Sequence, residues 1–331
     1  MAPSDVAAPP APPPTPAAPP AGSSAGSSPP PGAPPVDGPH RPVPMDPARA
    51  AQLATEGGLA PVNEIPPIGT YLRQIWQRRH FLWSLASFRF SAANSQDRLG
   101  PLWNVLRPTL QALIYTTVFT LLFPANAKNI DNYPEYVTAG IFVFTFLSGC
   151  LMSGAQAVVG DLGLVRTIKF PRAVLPLAGT VLNLLSFLPA VAVLLVILLI
   201  LGQRPDVAWL AVVPAIGLMA LFAAGVALFN ARMTVIIRDF TQLLPFFLRL
   251  MFYVSGIVVA VDKLAVAEDH AVLGAVLTYE PFFVYMELVR NSLLDGQVAT
   301  GRVWIAGAAW AVVALVGGLL FFWRGEQQYG R

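Results

Sequence analysis

The 331-residue chain is 55% hydrophobic and 12% charged, with a formal net charge of +3, and its charges crowd into a few short stretches. That balance excludes a soluble globular domain and offers no basic surface for nucleic acid; it is the composition of a polytopic membrane protein whose basic residues mark topology. The one cysteine, Cys150, lies inside an apolar run, so no internal disulfide forms, and His40, His80 and His270 are too far apart in sequence to suggest a metal site.

Residues 1–68 hold 21 of the 32 prolines, and Ala, Gly and Ser fill most of the remainder. Such a segment buries too little surface to offset the entropy of ordering, which predicts a disordered extension. It lacks the basic start and apolar run of a signal peptide, so the expectation is a retained cytoplasmic tail, with a PxxP-type docking segment as the alternative.

Residues 69–97 form a second region, built around YLRQIWQRRHFLWSLASFRF at 71–90. Read as one helix, it puts Leu72, Ile75, Trp76, Trp83, Ala86 and Phe90 on one face and Phe81, Leu85 and Phe88 roughly opposite. Arginines lie between the stripes. The pattern predicts an amphipathic helix in the membrane interface, acting as a gate or a plain anchor with its arginines near anionic lipid headgroups.

The region 98–331 is read as the transmembrane domain. Leu102 to Phe123 is a run of 22 residues with one charge, Arg107, near its start, and about 20 apolar residues cross a hydrocarbon core. Further apolar spans at 136–159, 173–201, 207–229, 240–261 and 303–323 make six. With these spans, 13 Lys and Arg fall on one side and 5 on the other. The positive-inside rule then places both termini in the cytoplasm of a multi-pass cell-membrane protein. Between the fifth and sixth spans, residues 262–302 include an apolar stretch interrupted by Glu280, Pro281, Glu287 and Arg290. Charges there are costly in hydrocarbon, so two short external or re-entrant helices broken at Glu280 and Pro281 are expected rather than a seventh span.

The chemistry is constrained by what is missing. None of the three lysines, Lys128, Lys169 and Lys263, follows a glycine, so no phosphate loop is present, and there is no G-x-S-x-G elbow. Membrane transport is left as the main candidate. Arg249 stands near the middle of the fifth span, where a charge costs on the order of 2.5–3.5 kcal/mol on insertion scales, so it must face a pore or a partner.

The run Leu99-Gly100-Pro101-Leu102-Trp103 followed by Pro108 resembles the start of the first helix in permeases of the ABC-2 polysaccharide-export type, which secrete O-antigen, capsule and teichoic acid. Gly163 to Pro176 resembles that family's coupling segment and the F-P-x-x-x-L-P start of its third helix. Arg238-Asp239-Phe240 and Tyr253-Val254-Ser255-Gly256 are similar to its R-D-x and Y-x-S-P features, with Gly256 in place of proline. Tyr279-Glu280-Pro281-Phe282 and then Arg290 resemble its external segment, with glutamate in place of asparagine. The resemblance covers about residues 71–331.

It implies an all-α subunit with six transmembrane helices that pairs with a second copy of itself and with two copies of a separate ATPase. ATP and Mg would bind that ATPase, no cofactor would bind this chain, and no bond would be made or broken here. The cargo would be a lipid-linked glycan. The alanine- and proline-rich tail suggests an actinobacterial relative exporting the galactan of the cell wall. Gly163, Leu164, Arg166, Ile168, Lys169 and Phe170 would couple to the ATPase, with Arg166 and Lys169 on one helical face and Leu164 and Ile168 filling an apolar cleft. Tyr115, Phe119, Phe142, Phe146, Phe252 and Tyr253 are the candidate rings along a glycan path, since sugar C–H faces stack on aromatic rings; packing against lipid or core is the ordinary alternative for each. Arg89, Arg98, Arg107 and Arg249 are candidates for a lipid pyrophosphate near the cytoplasmic mouth. Two rival readings are an ABC-2 exporter of drugs or lipids, and a membrane-embedded glycosyltransferase or polymerase drawing on Asp262, Glu268, Asp269, Glu280, Glu287 and Asp295.

Overall fold

A computed structural model describes residues 46, 49, 53, 66–95, 100, 102–122, 132–168, 170–257, 271–294 and 300–329. The chain divides into two units, Met1–Pro61 and Val62–Arg331. Of the first only Asp46, Arg49 and Leu53 are described, so the expected disorder of the tail lies outside the described residues. The second unit is helical, with no strand among the described residues. Its helices are α1 (Ile68–Gln77), α2 (Arg79–Ser95), α3 (Leu102–Leu122), α4 (Tyr133–Gln156), α5 (Leu162–Thr167), α6 (Val174–Ile200), α7 (Val212–Ile236), α8 (Phe240–Val254), α9 (Ala271–Thr278), α10 (Pro281–Leu293) and α11 (Gly301–Trp323). Short 3-10 turns at Val207–Ala211 and Glu326–Gln328 precede α7 and follow α11.

Four of these segments, Tyr133–Gln156, Val174–Ile200, Val207–Ile236 and Gly301–Trp323, are long and apolar enough to cross a membrane. The chain is therefore a multi-pass membrane protein. The other two expected spans differ in kind. α3 runs for 21 residues with Pro108 inside it. α8 stops after 15 residues, about 22 Å at the helical rise, because Gly256 turns the chain at φ 66°.

α4 is the hub. It packs against α3, α6, α7, α8 and α10, so buried residues occupy all its faces. Asn132, in the left-handed region at φ 56°, and Pro134 in the first turn set its start. α7 and α11 form the closest pair: a Cβ on Gly225 or Gly318 would run into the facing backbone. Small residues allow that approach where lipid supplies no hydrophobic drive for helix association. α6 ends at Gly202, φ 100°, whose neighbour Gln203 donates its N–H to the Leu198 carbonyl at 3.0 Å.

The region expected at the membrane interface is two helices, not one. α1 closes at Arg78, whose N–H is shared between the Gln74 and Ile75 carbonyls, and α2 restarts at Arg79. The break resets the phase, so the single stripe from Leu72 to Phe90 does not exist. Ala86 is buried against the body, Phe81 and Leu85 are half-buried, and Trp83 and Phe88 point outward. The break expected at Glu280 and Pro281 falls at Tyr279 and Glu280, with Pro281 opening α10, and Glu280 caps α10 by accepting the Phe283 N–H at 2.8 Å. α10 is sunk among α4, α7 and α11 rather than lying out in a loop.

Candidate functional site

α3, α4 and α8 line an open cavity of about 530 Å³. Tyr115 from α3, Phe144 from α4, and Phe252 and Tyr253 from α8 form its aromatic wall. Phe252 is the centre of this group, 4.9 Å from Tyr115, 5.3 Å from Phe144 and 5.4 Å from Tyr253 between ring centroids. Gln111, Thr145 and Ser148 add polar atoms. The single ionisable cation on the wall is Arg249. It is exposed, and it has neither an ion pair nor a hydrogen bond among the described residues. Pro245, one turn earlier on α8, lines the same wall.

A smaller cavity of about 220 Å³ adjoins, sharing Thr145 and Gly149 with the first. Arg107, Phe142, Phe146, Phe187 and Asn183 line it, and the Arg107 guanidinium stands 5.9 Å above the Trp103 ring. Asn183 donates to the Ser153 hydroxyl at 2.9 Å and to the Gly179 carbonyl at 2.8 Å, and its side-chain oxygen occupies the space a Cβ on Gly149 would need.

The six expected rings therefore separate. Tyr115, Phe252 and Tyr253 meet in one wall. Phe142 and Phe146 are buried in the bundle core, Phe146 packing 4.8 Å from Phe187, and both face the small cavity. The Phe119 side chain lies outside the described residues. Phe144, which the i, i+4 pairing of Phe142 and Phe146 passed over, takes their place beside Phe252 and also touches Phe282 at 5.7 Å. Of the arginines, Arg249 and Arg107 face cavities, and Arg98 lies outside the described residues. Arg89 is elsewhere: it pairs with Asp161 at 2.5 Å, just ahead of α5.

That pair is one of the contacts between α2 and the segment 161–170. Phe81 meets Phe170 edge-on at 5.5 Å, and Leu85 and Leu164 both pack against the small core cluster of Ala157, Val165 and Leu175. Leu164 thus faces inward, while Gly163 and Ile168 are exposed. α5 ends at Thr167 and Ile168 is extended, so the helical face expected to carry Arg166 and Lys169 together does not continue that far. The Arg166 side chain and Lys169 lie outside the described residues.

Sequence reasoning gave Arg290 no role beyond a motif match. It is fully buried, 3.4 Å from the Tyr136 ring centroid, and donates to the carbonyls of Tyr136, Gly256 and Ile257 at 3.1, 3.2 and 3.3 Å. Tyr136 adds its own hydroxyl to the Gly256 carbonyl at 3.0 Å. Gly140 leaves the space for the guanidinium. These bonds hold the end of α8, and with it Phe252 and Tyr253. Among the acids of the transferase reading, Glu280 is taken up as a helix cap and Glu287 lies on α10 three residues before Arg290. Asp262, Glu268, Asp269 and Asp295 lie outside the described residues.

Residues 81–294, nearly two thirds of the chain, match the ABC-2 type transporter family. The chain belongs to that family. This ABC-2 permease is 27% identical over 246 residues to the O-antigen export system permease protein RfbA of Myxococcus xanthus, covering 74% of this chain and 92% of that one. It is 25% identical over 221 residues to the protein of the same name from Klebsiella pneumoniae, covering 65% and 82%. The polysialic acid transport protein KpsM of Escherichia coli is 20% identical over 231 residues, covering 70% and 87%. ABC-2 permeases work with an ATPase subunit, and the matched region holds α3, α4, α8 and α10 entire.

Proposed function

We propose that this ABC-2 permease exports a lipid-linked polysaccharide as a homodimer of six-span subunits, with both termini cytoplasmic and two copies of a separate ATPase binding ATP and Mg. The observation that carries the reading is the cavity between α3, α4 and α8, with its aromatic wall and one cation that has no partner among the described residues. Tyr115, Phe144, Phe252 and Tyr253 stack on sugar faces without demanding fixed hydrogen-bond registry, which suits a repeating cargo. Arg249 meets the pyrophosphate that joins glycan to lipid, and Arg107 serves the adjoining cavity. The names of the relatives, O-antigen export and polysialic acid transport, agree on the class of cargo. Gly163 and Ile168 on the α5 segment face the ATPase, with Arg166 and Lys169 supplying charge.

The test is to purify the tagged full chain in detergent, identify what comes with it, and assay ATP hydrolysis with and without purified lipid-linked oligosaccharide. The expected result is a co-purifying ATPase stimulated by long glycan-lipids. Arg249→Gln should reduce that stimulation about tenfold, the loss of one charge-assisted hydrogen bond, and Arg249→Lys should retain part of it. A cavity of about 530 Å³ also fits a drug-sized molecule, so stimulation by small amphiphiles alone would replace the reading with a drug or lipid exporter. Sugar transfer without any ATPase would replace it with a glycosyltransferase.

A further inference from the structure

α1 has a single buried residue. Tyr71 is 1% exposed, while Leu72 and Trp76 stand open. Helix α1 makes few contacts besides those with α2, so its attachment rests on the cluster that the Tyr71 ring and Ile75 join and on what the Tyr71 hydroxyl reaches. The Tyr71 hydroxyl donates to Glu326 Oε2 at 2.7 Å and accepts the Ala173 N–H at 3.3 Å. Glu326 Oε1 accepts the Arg172 N–H at 3.1 Å, and the Glu326 carbonyl accepts the Arg172 guanidinium. Beside it Tyr329 stacks on Phe322 at 4.4 Å and donates to the Phe322 carbonyl at 2.9 Å, which fixes the 3-10 turn that carries Glu326. Trp323 donates to the Pro66 carbonyl at 2.9 Å, just ahead of α1. One carboxylate thus joins the start of the interfacial region, the start of α6 and the end of the chain.

The contacts further along follow an antiparallel order. Tyr71 meets Ala173, Phe81 meets Phe170, and Arg89 meets Asp161. α2 is therefore laid against α6 and reaches the segment before it through Phe81 and Arg89, whereas α1 is tied to the turn after α11, and the two helices part at Arg78. A helix held at one buried node moves when the node opens, while the rest of the bundle keeps its core.

We infer that Glu326 is a positioning residue: it latches α1 to the bundle through Tyr71 and Arg172, and sets the angle between α1 and α2 at Arg78. The carboxylate needs its partners, since a half-buried charge stripped of one is left with part of its desolvation cost not offset. Its consequence for transport rests on the export reading above, because an interfacial helix pair that follows the ATPase needs one end fixed to work against. The positional claim does not depend on it.

The experiment uses the full chain in nanodiscs with Cys150→Ala, so that nitroxides placed at Arg73 and Arg324, both exposed, are the only labels. The unsubstituted pair should give one narrow distance. Glu326→Gln and Tyr71→Phe should each broaden it, shifting the closed-to-open ratio by about tenfold or more for a charge-assisted hydrogen bond. The double variant should broaden it by less than the sum of the two single effects, because both remove the Tyr71–Glu326 bond. Trp76→Ala, an exposed change on the same helix, should leave the distance narrow. If Glu326→Gln does not fold, Tyr71→Phe alone decides. Narrow distances in every folded variant overturn the latch. In proteoliposomes with the co-purifying ATPase, the latch variants should hydrolyse ATP yet export severalfold less glycan per ATP than the unsubstituted chain. An unchanged ratio beside broadened distances overturns the role in transport. If the unsubstituted complex does not respond to glycan-lipid at all, the export reading fails and the distance result still judges the latch.

Discussion

At the scale of single residues, charged groups in this chain are informative because each must be explained against an apolar surround. Arg249 and Arg290 are both arginines among apolar helices, and the structure gives them opposite fates. Arg290 is enclosed, with three carbonyls and an aromatic face as partners. Arg249 opens on a cavity with none among the described residues. Glu280 is a third case. Burial holds its carboxyl above the ordinary carboxyl range, while the Phe283 N–H pulls it partway back. A folded-state value above the unfolded one means that the folded chain binds the proton more tightly. Its favourable contribution is then complete below the ordinary carboxyl value and is lost as pH rises through the folded value. Glu280→Gln keeps an oxygen to cap α10 and cannot ionise. The thermal midpoint of the variant should match the parent in acid and exceed it increasingly as pH rises to neutrality, followed by melting in detergent at several pH values. A variant less stable at neutral pH by the same margin as in acid would mean that the cap, not ionisation, dominates.

At the scale of elements, legibility in the sequence followed from how one-sided each helix is. α6 and α11 are apolar for most of their length, and the predicted spans at 173–201 and 303–323 agree with Val174–Ile200 and Gly301–Trp323 within a few residues. The break at Arg78 was not legible, for Trp76-Gln77-Arg78-Arg79 contains neither glycine nor proline. It is made by tertiary contact, because α1 answers to the turn after α11 while α2 answers to α6 and the α5 segment. The ring facing the cavity was misplaced for a related reason. α4 is apolar all round, so periodicity could not tell the side toward α8, where Phe144 lies, from the side toward α6, where Phe146 meets Phe187. The Arg89–Asp161 pair is a contact between elements that can be tested as one. Its side chains are 25% and 26% exposed, so it should contribute no more than about 1 kcal/mol. Arg89→Asp and Asp161→Arg should each loosen the α5 segment to limited proteolysis. The double exchange should restore most but not all of the protection, because an arginine at the start of α5 opposes the helix dipole. Equal cleavage in the double and single variants would show that the pair carries no coupling.

At the scale of the whole molecule, the question is which uncovered faces meet lipid and which meet protein. A membrane protein exposes apolar residues in both cases, so exposure alone does not decide. Ile114 on α3 and Phe246 on α8 are 57% and 71% exposed; Ile200 on α6 and Val313 on α11 are 78% and 61% exposed. The first two belong to the helices that carry Tyr115, Arg249, Phe252 and Tyr253, and a cavity walled on one side by such helices becomes an enclosed path when a second copy supplies the other side. In a two-fold homodimer a residue near the axis meets its own copy. Single cysteines at 114 and 246, in a Cys150→Ala background, should therefore form disulfide-linked dimers in native membranes under mild oxidation, since bridging requires Cα atoms within about 7 Å. Cysteines at 200 and 313 should stay monomeric despite comparable exposure. Cross-linking at 200 or 313, with none at 114 and 246, would put the partner on the opposite side of the bundle. The cavity with Arg249 would then face lipid, and a path for glycan between two copies would have to be sought along α6 and α11.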